Sequence, residues 1–360
     1  MIAVPLYAVQ LGASLTAIGV ILSAPYILPL ILAIPMAGFI SRAGTRKAMM
    51  LGAMAAVIPP LVILLVPGYS GLIIGQLILG VAHTVMVIAG QSIISDLGSG
   101  KQLEKYFSWY ATCLSGGQLC GPLLIGWLID TQSMDRAFVV MSAISIVSVL
   151  SAFRLTGTTR KGVGPNISHA GFRAQGTLLK TNTGVQSAII LTAAAMFALG
   201  GYLSFLPVYL GSLQISATTI GALLSLRAFS AMVIRPFMPV LIDFAGGRKL
   251  TILLTLFLLA VGLALTGVTS GIIWLYICAL LIGAGSGVSQ PLSMVLLAES
   301  VTAEQRSSAL AMRLMANRGV QLLAPLMLGL VAEATSFTTA FILGGIIVFI
   351  GIAVLMRCMR

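Results

Sequence analysis

Long apolar runs, separated by short polar intervals, dominate the order of residues in this chain. A helix needs about 20 mostly apolar residues to cross a bilayer. Eleven segments meet that length, near 14–40, 48–66, 71–95, 103–129, 136–154, 185–211, 216–241, 250–268, 271–298, 305–332 and 336–356. One polar stretch, roughly 155–184, interrupts them and holds Pro165, His169, Arg160, Lys161, Arg173 and Lys180 among Gly and Ser. That composition predicts a flexible linker between two helical bundles. The expected organisation is an N-terminal bundle over 1–154, a cytoplasmic linker over 155–184 and a C-terminal bundle over 185–360.

Composition sets the solvent. Hydrophobic residues make up 59% of the chain, charged residues 8%, and the mean hydropathy is +1.09. A soluble domain carries about 25% charged residues, so most of this surface is built to meet lipid. The net charge of +12 does not point to nucleic acid, because the cations stand singly or in twos and threes between apolar segments. Alternate intervals hold Arg42, Arg46, Lys47, Lys101, Lys105, Arg154, Arg160, Lys161, Arg173, Lys180, Arg248, Lys249 and Arg306, and the tail adds Arg357 and Arg360. The opposite intervals hold Arg136 alone, so the basic loops, the linker and the C-terminus are expected on the cytoplasmic side. Cys113, Cys120, Cys278 and Cys358 have no metal-ligand or disulfide spacing and read as small hydrophobes. The first residues, MIAVPLYAVQ, lack the basic stretch that begins a signal peptide.

The chain repeats itself. A shift of 202 lays residues 5–47 on 207–249 with fifteen identities in forty-three positions, among them Pro5/Pro207, Tyr7/Tyr209, Ser14/Ser216, Gly19/Gly221, Ser23/Ser225, Gly44/Gly246, Arg46/Arg248 and Lys47/Lys249. A shift of 203 continues the match through Gly80/Gly283, Asp96/Glu299, Gly116/Gly319, Gln118/Gln321, Pro122/Pro325, Gly126/Gly329 and Asp130/Glu333. Aligned Pro, Gly, Gln and basic residues point to duplication, the usual architecture of secondary transporters. In the second half a whole apolar segment, 185–211, precedes the shared Pro207. The first half has only its tail, so the chain is expected to lack the first helix of a twelve-helix protein.

The basic loops resemble those of the major facilitator superfamily, whose signature is a Gly followed by Asp-Arg-x-Gly-Arg-Arg/Lys. Here the loops read Ser41-Arg42-Ala43-Gly44-Thr45-Arg46-Lys47 and Asp243-Phe244-Ala245-Gly246-Gly247-Arg248-Lys249. The first copy departs from the pattern, with Ser41 for the Asp and Ala37 for the leading Gly. The resemblance implies a cytoplasmic gate in which Arg46 and Lys47 pair with Asp96, and Arg248 and Lys249 with Glu299. The stretch Gly117-x-x-x-Gly121-Pro122-Leu123-Leu124-Ile125-Gly126 is similar to the antiporter signature of drug-exporting relatives, with Ile125 in place of one Gly. Small residues four apart and a helix-bending Pro equally suit plain helix packing. Those relatives also carry an Arg in the segment where this chain has Gly75-Gln76-Leu77-Ile78-Leu79-Gly80.

Candidate chemistry lies where the halves differ. Arg227 and Arg318 fall near the middle of their apolar segments, opposite Pro25 and Ser115 in the repeat. A charge at the bilayer centre costs about 2.5–3.5 kcal/mol on insertion scales. That cost points either to recognition of an anionic group by the guanidinium fork or to bonds with carbonyls and the other half. Arg235 and Arg313, nearer the cytoplasmic ends, are expected to snorkel. Asn317 and Gln321 flank Arg318, and His83 is the one ionisable group deep in the first half. His83 is read as a coupling or substrate residue, or as a neutral histidine bonded to a neighbouring helix. Gln76, Tyr110 and Gln118 complete the candidate lining, with Gln91, Gln290, Tyr26 and Tyr202 behind them.

These features together lead to an all-α fold of two pseudo-symmetric bundles and to a secondary transporter, not an enzyme. Its solute is an organic anion or zwitterion held between the bundles. Proton antiport with export is preferred to uptake, and a non-transporting sensor or scaffold is the rival. No nucleotide loop, catalytic triad or metal site is legible. The expected energy source is therefore a proton or ion gradient, with no cofactor. The expected partners are the small-molecule substrate and the lipid bilayer, and the family's members usually work as monomers in the plasma membrane.

Overall fold

The structure is a computed structural model and describes residues 2–97, 100–155, 179, 181–302 and 305–359. Among the described residues there is no strand; thirteen α-helices follow in order. They are α1 Ala3–Gln10, α2 Leu15–Ala43, α3 Thr45–Leu65, α4 Tyr69–Asp96, α5 Gly100–Thr131, α6 Met134–Phe153 and α7 Thr183–Ser212. After these come α8 Ala217–Ile234, α9 Met238–Phe244, α10 Arg248–Val268, α11 Ile272–Ser300, α12 Arg306–Ala334 and α13 Phe337–Cys358. Eleven stretches are long and apolar enough to cross a membrane, α8 and α9 forming one of them through a 3-10 turn at Arg235–Phe237. Pro236 in that turn and Pro239 just after it have no backbone N–H to give, so the helical ladder is weakest there. Most of the predicted linker lies outside the described residues.

Helix ends are set locally. Ser14, Ser133, Ser216 and Ser336 each accept a hydrogen bond from the backbone N–H three residues on, capping α2, α6, α8 and α13. Ser14 and Ser216 are repeat partners, as are Ser133 and Ser336, so the duplication extends to the caps. Between α2 and α3 the chain reverses at Gly44, whose φ of +87° favours glycine.

Packing repeats as well. In the first half α2 and α3 each pack on α4, and α3 on α6; in the second, α8 and α10 pack on α11, and α10 on α13. α7 then fills the second half, against α10, α11, α12 and α13. The halves meet along two seams, α2 with α12 and α5 with α8. Glycine permits both. A Cβ on Gly19 would stand 2.7 Å from the Pro325 carbonyl oxygen, and one on Gly221 would stand 2.5 Å from that of Pro122. Likewise a Cβ on Gly126 would lie 2.2 Å from the Ala217 oxygen, and one on Gly329 would lie 2.6 Å from that of Leu15.

Candidate functional site

Both seams close on the face away from the basic loops. Ser23 donates to the Leu322 carbonyl at 2.7 Å, and its partner Ser225 to the Leu119 carbonyl at 2.5 Å. At the outer rim the Asp130 carboxylate accepts from the Ala217 and Thr218 backbone N–H groups at 3.0 and 2.7 Å, and from the Thr218 hydroxyl at 2.6 Å. Glu333 accepts from the Thr16 N–H at 2.6 Å. Each acid thus sits at the N-terminus of a helix of the other half, where unpaired N–H groups and the helix dipole favour a negative charge. Deeper in, these contacts thin out: positions 116, 117 and 319 have no neighbour within 4 Å of where a Cβ would stand.

Four arginines reach the interior from the second half. Arg227 on α8 is 4% exposed, donates to Gln118 Oε1 on α5 at 3.4 Å, and has a buried Nε without an acceptor. Beside it the buried hydroxyl of Tyr202 on α7 is also unpartnered. Arg235 donates to the Ser115 hydroxyl at 3.0 Å. Arg318 on α12 donates to Gln321 Oε1 at 3.4 Å and faces Tyr26 and His83 across the seam. His83, near the middle of α4, is exposed, which places it on open space.

Arg313 and Arg235 correct the expectation that both snorkel to the surface. Arg313 is 1% exposed, and its guanidinium donates to Ser293 Oγ at 2.7 and 3.0 Å and to the Gln290 carbonyl and Oε1 at 3.2 and 3.0 Å. It turns inward because α11 offers a polar notch one helix away. Arg235, though exposed, is drawn across the seam by Ser115. Neither contact carries a sequence signal beyond a Ser or Gln in an apolar run.

The remaining candidates fall in different places. Asn317 is buried and accepts from Thr192 at 2.8 Å, so it ties α12 to α7. The Gln321 amide N–H points at the Met196 sulfur at 3.4 Å. Gln76 is buried in α4, and the Tyr110 ring lies beside Gly90. At the basic loops Arg248 pairs with Glu299 within the second half, while Lys249 donates to the Met359 carbonyl at 3.3 Å. Arg46 donates to the Phe153 carbonyl at 3.0 Å. The Asp96 side chain lies outside the described residues, and among those described no bond of the Lys47 or Asp243 side chain enters the site. In the antiporter-like stretch the Pro122 carbonyl and Gly126 pack against α8, whereas Gly117 and Gly121 meet no neighbour.

The description of the Major Facilitator Superfamily matches the sequence twice, over residues 1–216 and 188–360. The chain belongs to this superfamily. Solved structures agree at the level of fold. A point mutant of the nucleoside transporter NupG superposes with a TM-score of 0.80 at 15% identity, covering 100% of this chain and 95% of that one. A POT family transporter in complex with a thioalcohol-conjugated peptide gives 0.78 at 14% identity, and one in complex with 5-aminolevulinic acid gives 0.78 at 13%. Both superpositions cover 96% of this chain and 88% of the other. No curated protein matches the sequence. The chain is thus a multi-pass membrane protein of transporter fold, whose two halves meet along two seams.

Proposed function

We propose that this protein carries a small organic anion across the plasma membrane by alternating access, the C-terminus lying in the cytoplasm. One observation supports the anion. Arg227, Arg235, Arg313 and Arg318 all point into the protein, and among the described residues none has a carboxylate partner. Every Asp and Glu among the described residues stands at or close to a helix end. A solute carboxylate or phosphate near the midplane would supply the missing negative charge, and the guanidinium fork suits either.

The geometry also suits rocking. The halves touch along two seams whose tight, glycine-lined crossings are related by the repeat. Rotation about them would break the Asp130 and Glu333 contacts and close the cytoplasmic side. Export by proton antiport follows from the resemblance of Gly117–Gly126 to the antiporter signature, with His83 as the group that takes the proton. Proton-coupled uptake of the same anion is the second direction, as the packing of Pro122 and Gly126 in the seam needs no coupling role.

The reading is tested in proteoliposomes with a proton gradient and a panel of labelled organic anions. Arg227→Ala and Arg318→Ala are expected to abolish transport while membrane insertion stays normal. Undiminished transport in both variants would overturn it.

A further inference from the structure

The α5–α8 seam holds more cationic hydrogen-bonding capacity than its own acceptors use. Arg227 and Arg235 are eight residues apart, about 12 Å along a helix, yet their acceptors Gln118 and Ser115 are three apart, about 4.5 Å. The two guanidinium groups therefore converge over less than one turn of α5. Two cations at this separation repel each other, and the acceptors holding them are neutral: an amide at 3.4 Å and a hydroxyl at 3.0 Å. Two further buried donors lie at Arg227, its own Nε and the hydroxyl of Tyr202 on α7 behind it, and neither has an acceptor among the described residues. Unsatisfied buried donors are rare and costly. A carboxylate has two oxygens for this set, whereas a phosphate monoester brings three oxygens and a double charge.

We propose that Arg227 and Arg235 form a paired site for the dianionic head of a phosphate monoester, with Gln118 and Ser115 as the weak neutral acceptors that the anion outcompetes. This rests on the anion reading of Arg227 and narrows it. Arg318, on the other seam, serves the rest of the solute. Because Gln118 and Ser115 belong to one half and the arginines to the other, an arriving phosphate exchanges contacts across the seam for contacts to itself. It thereby loosens α5 from α8.

The test uses the full chain in lipid nanodiscs and equilibrium binding of radiolabelled inorganic phosphate. Saturable binding is expected, displaced by sulfate and not by acetate. Arg227→Gln and Arg235→Gln should each weaken it at least about tenfold, and Arg235→Lys, which keeps the charge but not the fork, should weaken it by less. Gln118→Glu and Ser115→Asp place a carboxylate on the arginines and should each abolish binding, whereas Ser115→Ala should not. Arg136→Gln, an exposed arginine bonded to Gln132 away from the seam, should leave phosphate affinity within about twofold. Melting curves in the same nanodiscs establish that each variant is folded. Absence of phosphate binding, or full binding in folded Arg235→Gln, overturns the paired site. If a monocarboxylate then binds through Arg227 and Arg318, the broader reading stands without it; if no anion binds, both fall.

Discussion

Asn317 is 9% exposed and hydrogen-bonded to Thr192 of α7, whereas Leu114, its counterpart 203 residues earlier, is 45% exposed. The contrast runs along both halves. Val348 on α13 is fully buried and Ser145 on α6 half-buried; Ser286 on α11 is buried and His83 on α4 exposed. In the second half Asn317 meets α7 directly, and α11 and α13, which carry Ser286 and Val348, both pack on α7. In the first half the only counterpart among the described residues is α1, which matches the last turns of α7 through Pro5/Pro207 and Tyr7/Tyr209. In the second half α7, thirty residues long, packs on α10, α11, α12 and α13. Polarity differs too: the second half keeps its arginines where α7, α8, α11 and α12 pack, and the first half has exposed His83 and Gln118 and a buried Ser115 that meets Arg235 in the seam.

This comparison can be broken most severely at the seams. Gly126→Val and Gly329→Val drive a side chain into a carbonyl oxygen of the other half, and overpacking of this kind costs about 1–3 kcal/mol. Each should lower the melting temperature in detergent, Gly126→Val the more because its Cβ would lie 2.2 Å from oxygen against 2.6 Å. Equal insensitivity of the two sites would deny that the seams are equivalent.

Arg313 offers the next test, since its counterpart is Tyr110 and the first half lacks the notch it fills. Arg313→Ala leaves a cavity and strands Ser293 and Gln290, which should cost about 2–3 kcal/mol. Arg313→Met keeps the volume and removes a charge that no carboxylate among the described residues balances, so its cost should stay below about 1.5 kcal/mol. A thermal-melt series that reverses this order would make Arg313 a bound cation of functional consequence rather than a tie between α11 and α12.

The outer latches differ in strength. Asp130 accepts from two backbone N–H groups at the N-terminus of α8, those of Ala217 and Thr218; Glu333 accepts from one at the start of α2, that of Thr16. Asp130→Asn should shift the balance toward outside opening by about 1 kcal/mol, kept low by the exposure of the carboxylate. It should be read as faster labelling, from the outer side, of a cysteine placed at Ser23. Glu333→Gln should give the smaller change by the same measurement, and an equal or larger one would contradict the count of bonds. The smallest effect belongs to Arg248 and Glu299, an exposed pair worth about 0.2–1 kcal/mol. A double-mutant cycle on melting should find it, and raised salt should shrink it.

Much of this was legible beforehand for a physical reason. Spanning helices must satisfy their backbone internally and shield it with apolar side chains, so length and hydropathy locate them without reference to neighbours. All eleven predicted spans coincide with observed helices to within a few residues, and the one internal surprise, the turn at Arg235–Phe237, follows Pro236. The repeat was equally visible, because Gly19, Gly126, Pro122 and their partners answer to close crossings that few other residues tolerate. Arg227 and Arg318 stood out because charge in an apolar run is rare. Arg235 and Arg313 were misjudged because an arginine near a helix end can reach outward or inward with the same backbone. Only the helix opposite decides which.

The sequence by itself determined the solvent, the spans, the twofold repeat and the residues anomalous within it, since all of these depend on local composition and spacing. Tertiary structure alone decided which polar groups meet: Arg227 with Gln118, Arg235 with Ser115, Asp130 with the start of α8, Asn317 with Thr192. Those partners are 109, 120, 87 and 125 residues apart. Nothing in the pattern along one helix specifies the rotation and depth at which another helix crosses it.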